Sequence, residues 1–184
     1  LDSLLFELWS SFEIWALTFE LPRREDKMVS AEWLKKTELF DTLDESQLND
    51  LLSHSLVESF QQGDTIFRQG DQANHLYVLI QGAVDLTVKA MEEVGFMTSN
   101  IDKEGAVFGT PALMEPYRYN VTATCLKASR VLIMKADYLR RKMTQEPKMG
   151  LEMMKKLASI YFNRLNELRS GVSKLLKTLK GKVP

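Results

Sequence analysis

Three residues carry side chains suited to nucleophilic or metal chemistry: Cys125, His54 and His75. One cysteine and two histidines do not furnish a conventional Cys/His zinc site, and a lone cysteine excludes an internal disulfide. His54 falls in a helical pattern, His75 at the entry to a strand and Cys125 within a strand, a scatter that gives no nucleophile and base within reach of each other. The lone Cys also lacks the company that a haem or iron–sulfur centre needs. Catalytic and metal-ligating residues are therefore expected to be none. His75 reads as a surface or hydrogen-bonded turn residue and Cys125 as a small core residue. Thiol usage of this kind fits a reducing compartment, the cytoplasm.

Charge is the second chemical signal. Net charge is −1, yet residues 1–125 hold 9 basic and 21 acidic side chains, whereas residues 126–184 hold 15 and 4. A basic half of this kind suits nucleic acid, anionic lipid or an acidic partner, or packs against the acidic half of its own or a sister chain. Both readings stand at this point.

The elements that must position these groups follow from pattern. With 184 residues, 45% hydrophobic and 27% charged, the chain fits one soluble core with extensions. The longest stretch free of Asp, Glu, Lys and Arg, Gln72 to Val84, is far short of the ~20 residues a membrane-spanning helix needs. The opening LDSLLFELWS places Asp2 and Glu7 where a secretory leader carries basic residues. Across residues 1–21, Leu1, Leu5, Leu8, Trp9, Phe12, Trp15 and Phe19 recur at helical spacing beside acidic charges only, which predicts an amphipathic helix that packs against protein. Pro22 and the charged run after it form a linker.

A short helix is expected over Ala31–Lys36, then a second opened by Asp44 as N-cap and carrying Leu48, Leu51, Leu52 and Leu56. Beyond it, β-type runs alternate with glycines: Val57–Phe60, Thr65–Phe67, Leu76–Ile80, Val84–Val88, Val94–Met97, Val121–Cys125 and Val131–Met134. Glycine-cornered short strands indicate a sandwich, roll or barrel. Helix returns at Ala136. From Leu151 through Met154, Ala158, Tyr161, Leu165, Leu168, Val172 and Leu175 to Leu179, apolar residues alternate at spacings of three and four, the seam of a coiled coil. A second row, Met149, Met153, Leu157 and Ile160, faces another partner, so the helix is expected to start against the β part and continue along a twin in a homodimer through residues 147–180.

The lettering agrees with a known family as well as the order. Gln62-Gly63-Asp64-Thr65-Ile66-Phe67-Arg68-Gln69-Gly70-Asp71 followed by His75-Leu76-Tyr77-Val78-Leu79-Ile80-Gln81-Gly82 resembles the cyclic-nucleotide-binding domains of the catabolite activator and of kinase regulatory subunits. The resemblance covers roughly residues 31–180. It implies a mainly β fold with flanking helices: an eight-stranded β-roll (a double-stranded β-helix or jelly roll), N-terminal helices and a long C-terminal dimerisation helix. Joined to the N-terminal pattern read above, it gives an expected organisation of an N-terminal helix and linker at 1–29, the roll at 30–145 and the dimer helix at 146–184.

The resemblance also implies a phosphate-binding cassette, in which helix N-terminal N–H groups, an Arg and a ribose-binding Glu hold the ligand. Its counterpart is Phe108, Gly109, Thr110, Pro111 and Ala112, followed by Arg118, Tyr119 and Asn120. Three departures stand out. Thr110 takes the place of the Glu, and Pro111 deletes a backbone N–H. Tyr119 falls where the Arg is expected, with Arg118 one position early. Leu168-Arg169 matches the segment of the dimer helix that caps the ligand, and Arg169 is the candidate to stack on a ligand ring.

These readings lead to a non-enzymatic regulatory or sensory module, with cyclic AMP or cyclic GMP as candidate ligands and no obligatory cofactor. The alternative is a structural interaction module with a vestigial pocket that docks a protein partner through residues 1–21. Sequence-specific nucleic-acid binding is not expected, since no second recognition helix follows the lysine-rich tail.

Overall fold

The computed structural model describes residues 29–89 and 95–180. The predicted helix at 1–21 lies outside them. Helix α1 (Ala31–Lys35) starts where the Ser30 hydroxyl accepts the Trp33 N–H, at 3.1 Å. Helix α2 (Glu45–Ser53) opens with a reciprocal cap: Asp44 Oδ1 accepts the Gln47 N–H at 2.9 Å, and Gln47 Oε1 accepts the Asp44 N–H at 3.1 Å. Two otherwise orphaned donors are thereby satisfied. The helix ends sooner than its leucine spacing suggested, and Leu56 lies instead on β1 with its side chain exposed.

Six strands follow: β1 (Ser55–Phe60), β2 (Thr65–Phe67), β3 (His75–Lys89), β4 (Gly95–Ile101), β5 (Val107–Phe108) and β6 (Thr122–Lys135). They pair antiparallel in the order β1-β6-β3-β4, with β2 also on β6 and β5 also on β3. Eight strands were expected, and six stand among the described residues. The difference has a physical origin in two strands that each cover two of the predicted runs. β3 continues through Gly82 and β6 through Ser129, and their shared ladder shifts register around Gln81 and Ala83. Gly82 has φ +117°, and a Cβ there would lie 2.1 Å from Ser129 Oγ. The bend therefore occurs without a break in pairing, as at a β-bulge.

Alternation along β3 divides the core in two. Leu76, Val78 and Ile80 face the helices, where they meet Leu34, Phe40, Leu48 and Leu51. Tyr77 and Leu79 face the interior of the roll with Phe67, Phe108, Tyr119 and Cys125.

Helix α3 (Ala136–Gln145) and the long α4 (Pro147–Lys180) complete the fold. Gly150 lets them approach, since a Cβ there would sit 2.7 Å from the Met143 carbonyl oxygen. Met149, Met153, Leu157 and Ile160 are buried in the helix-side core. Leu151, Met154, Leu165, Leu168 and Val172, the row predicted as a coiled-coil seam, are exposed. Among the described residues, no helix is long and apolar enough to cross a membrane, and no helix-turn-helix follows the roll.

Candidate ligand-binding site

Strand β5 hands the chain to Gly109, which adopts φ +70° with its Cα against the Tyr77 ring; a Cβ would lie 2.7 Å from Tyr77 Cδ2. Only glycine takes this left-handed turn at such close range without strain. A 3-10 turn follows over Thr110–Leu113, with Pro111 near its start, where the missing N–H matters least. The Ala112 N–H donates to the Gly109 carbonyl at 3.1 Å. Arg140 of α3 donates to the Ala112 carbonyl at 2.6 Å and anchors the turn from outside. Thr110 is 3% exposed, and its hydroxyl shares a 2.8 Å hydrogen bond with the Tyr161 hydroxyl of α4.

The returning chain separates Arg118 from Tyr119. Arg118 is exposed, forms an isolated bridge with Gln72 and donates to the Gly70 carbonyl at 2.8 Å. Tyr119 is 4% exposed and stacks on Phe67 with ring centroids 3.8 Å apart. Its hydroxyl donates to the His75 carbonyl at 2.8 Å and accepts the His75 N–H at 3.2 Å. Tyr77 and Phe108 extend the aromatic cluster, 5.2 Å apart. Burial pushes the ionisation of both Tyr77 and Tyr119 above the ordinary phenol range.

A cavity of about 740 Å³ lies between the 3-10 turn, the roll and α4, within the roughly 300–1,000 Å³ of small-molecule sites. Of the residues anticipated from sequence, Gly109, Thr110, Pro111, Tyr119 and Asn120 line it. Phe108 and Ala112 are fully buried in the roll-side core instead. Arg118 and Arg169 do not line it: Arg118 is held at Gly70, and Arg169 is exposed on α4 away from the lining face. Leu168, paired with Arg169 in the sequence comparison, does.

Sequence reasoning missed the contribution of Tyr161 and Arg164 to this wall. Their spacing with Leu165 and Leu168, three and four residues, marks one helix face and was the available signal. Arg164 donates to the Val107 carbonyl at 2.6 Å and lies 4.0 Å from Glu38. Among the described residues, no cluster of three or more His, Cys, Asp and Glu side chains is placed to hold a metal ion.

The chain thus presents a β-roll with an open cavity bounded by a short turn on one side and a C-terminal helix on the other. Residues 57–146, which span most of the roll, match the model of the cyclic nucleotide-binding domain. The global nitrogen regulator of Synechococcus elongatus is 27% identical over 105 residues, which are 56% of this chain and 47% of that protein. The cGMP-dependent protein kinase of Toxoplasma gondii is 30% identical over 108 residues, 55% of this chain and 10% of the kinase. The chain thus spans about half of the regulator and a tenth of the kinase. Among solved structures, the sensor domain of the transcriptional regulator DNR from Pseudomonas aeruginosa superposes with a TM-score of 0.63 at 25% identity, covering 74% of this chain and 91% of that one. The catabolite activator protein of Thermus thermophilus superposes at 0.61 and 21% identity, over 80% of this chain and 73% of its own, a likeness of fold. These relatives are a nitrogen regulator, a protein kinase, the sensor domain of a transcriptional regulator and a catabolite activator; the cyclic nucleotide-binding domain they share is itself non-catalytic.

Proposed function

We propose that the chain is a non-enzymatic regulatory module that senses a small ligand in the cavity beside Thr110 and transmits occupancy through α4, paired with α4 of a second copy. One observation carries this reading. The helix that closes the cavity through Tyr161, Leu165 and Leu168 also presents Leu165, Leu168 and Val172 to solvent, although their spacing is that of a helix seam. A ligand touching that face differs in its contacts with the two arrangements of the helix, which is the requirement for a population shift.

The test is light scattering of the full chain with and without Leu168→Glu. A dimer at micromolar concentration that the variant converts to monomer supports the reading; a wild-type monomer at high micromolar concentration removes the dimer from it. Tyr119 filling the roll interior favours a second reading, a scaffold that docks a partner through residues 1–21. Deletion of residues 1–26 then abolishes recovery of the partner in a pull-down, and unchanged recovery counts against it.

A further inference from the structure

Resting on the reading of this cavity as the sensory site, we infer that its ligand is an uncharged, mainly apolar organic molecule, not an anion. The charge that could meet an anion is offset, and the other polar side chains on the lining, Ser99, Asn100, Thr110, Tyr119, Asn120 and Tyr161, are neutral apart from the acidic Glu167. Among the described lining residues Arg164 is the sole cation, and its guanidinium is bound to the Val107 carbonyl with Glu38 4.0 Å away. Glu167 lines the same wall and offsets that charge. Pro111 has no N–H, and the N–H of Ala112 is turned to the Gly109 carbonyl. Arg118 is held at Gly70, away from the cavity.

What remains is an apolar surface from three elements: Phe67 and Leu86 from the roll, Val121 at the foot of β6, and Leu165, Leu168 and Val172 from α4. A phosphate brought here gives up its water and finds one guanidinium, already shared between the Val107 carbonyl and Glu38 and faced by Glu167, a loss that hydrogen bonds to neutral groups do not restore. An uncharged molecule gains from the same surface in proportion to the apolar area it covers. The Thr110–Tyr161 hydroxyl pair, whose proton order is free, offers such a ligand one hydrogen-bonding handle as donor or acceptor.

The experiment titrates the full chain with N-phenyl-1-naphthylamine, an uncharged fluorophore, and separately with cyclic AMP and cyclic GMP, by fluorescence and calorimetry. One saturable fluorophore site per chain is expected, with a dissociation constant on the order of 10 µM from the usual efficiency of small apolar ligands. Leu86→Trp and Val121→Trp, which fill the cavity from two sides, weaken it at least tenfold with an unchanged circular-dichroism spectrum. Leu56→Lys removes an exposed apolar side chain elsewhere and leaves it unchanged. Retention of the site in both tryptophan variants overturns the inference. Micromolar binding of either cyclic nucleotide, with displacement of the fluorophore, also overturns it while leaving the sensory reading in place. Absence of binding by all three compounds removes both.

Discussion

The hydroxyls of Thr110 and Tyr161 lie 2.8 Å apart and join the 3-10 turn beside the cavity to the helix that closes it. Thr110 is buried apart from its edge on the cavity, so its hydroxyl exchanges a fixed partner for at most a cavity water when the Tyr161 hydroxyl is removed. Tyr161→Phe and Thr110→Val are each expected to cost about 1–2 kcal/mol, and the double variant less than their sum, because replacing both partners strands neither. Urea unfolding of the four proteins measures the coupling. Strict additivity would show that the two elements are not linked through this bond.

The crossing of β3 and β6 at Gly82 tolerates no side chain. A Cβ at Gly82 would sit 2.1 Å from Ser129 Oγ and 2.6 Å from its Cα, at a φ of +117°. Gly82→Ala is therefore expected to lose at least about 3 kcal/mol, combining overpacking with backbone strain. Ser129→Gly in the same chain recovers only part of it, since backbone atoms and the φ value remain. Thermal denaturation of the two variants decides, and full recovery would place the whole cost in the serine side chain.

Tyr119 is both filler and clamp. Tyr119→Phe keeps the stack on Phe67 but leaves the His75 N–H and carbonyl without their partner, a loss of about 1–3 kcal/mol. Tyr119→Ala also empties the ring's volume and is expected to cost about 3–5 kcal/mol, as for other buried aromatics. The same variant enlarges the cavity and should speed uptake of the uncharged fluorophore, which stopped-flow fluorescence reads directly.

Neighbours on α4 separate its two faces. Met153 is wholly buried in the helix-side core, whereas Met154 is 37% exposed. Met153→Ala is expected to lower stability by about 2–5 kcal/mol at any protein concentration. Met154→Lys leaves unfolding of the dilute chain within about 0.5 kcal/mol of wild type and weakens self-association instead. Sedimentation equilibrium and urea melts, run on the same samples, distinguish these outcomes.

Acid should loosen the junction of α2 and α3 first. The Tyr138 hydroxyl donates to Asp50 at 2.6 Å and Lys142 lies 3.0 Å away, which together hold the Asp50 carboxyl below its usual range. Lys142 and Gln47 do the same for Glu146. Carboxylates with depressed folded-state values stabilise above their unfolded values of about 4, and that contribution disappears as pH falls through the folded ones. Asp50→Asn should lower the melting temperature at pH 7 and converge on wild type near pH 2. A constant difference across that interval would argue against the linkage.

Much of this was written locally in the sequence. Asp44 and Gln47 stand three apart ahead of a leucine pattern, and the cap they form needs nothing from the rest of the chain. The short turn after Phe108 was expected through the family resemblance, and Pro111 suits its start because proline fixes φ and gives up an N–H that is orphaned there anyway. What was not legible depended on distant partners. Gly82 read as a corner between two strands, and only Ser129, far along the chain, reveals it as a bend within one. The engagement of Arg118 at Gly70 likewise follows from how β2 and the loop before β6 meet. Two-residue β5 is too short for any periodicity to announce it.

The pairing of β1 with β6 has a consequence for how the chain matures. Ser55 lies opposite Met134 and Phe60 opposite Ser129, so the first strand of the roll waits for the last before its ladder exists. During synthesis, α1 and α2 emerge early and form from local bonds, while β1 leaves the ribosome with no partner available. Closure of that long loop is paid in chain entropy before any ladder bond repays it. Refolding is therefore expected on the order of milliseconds to seconds, with the helical segments protected from hydrogen exchange ahead of β1. An exposed β1 bearing Leu56 and Val57 in that interval is the segment most open to non-native pairing with other chains.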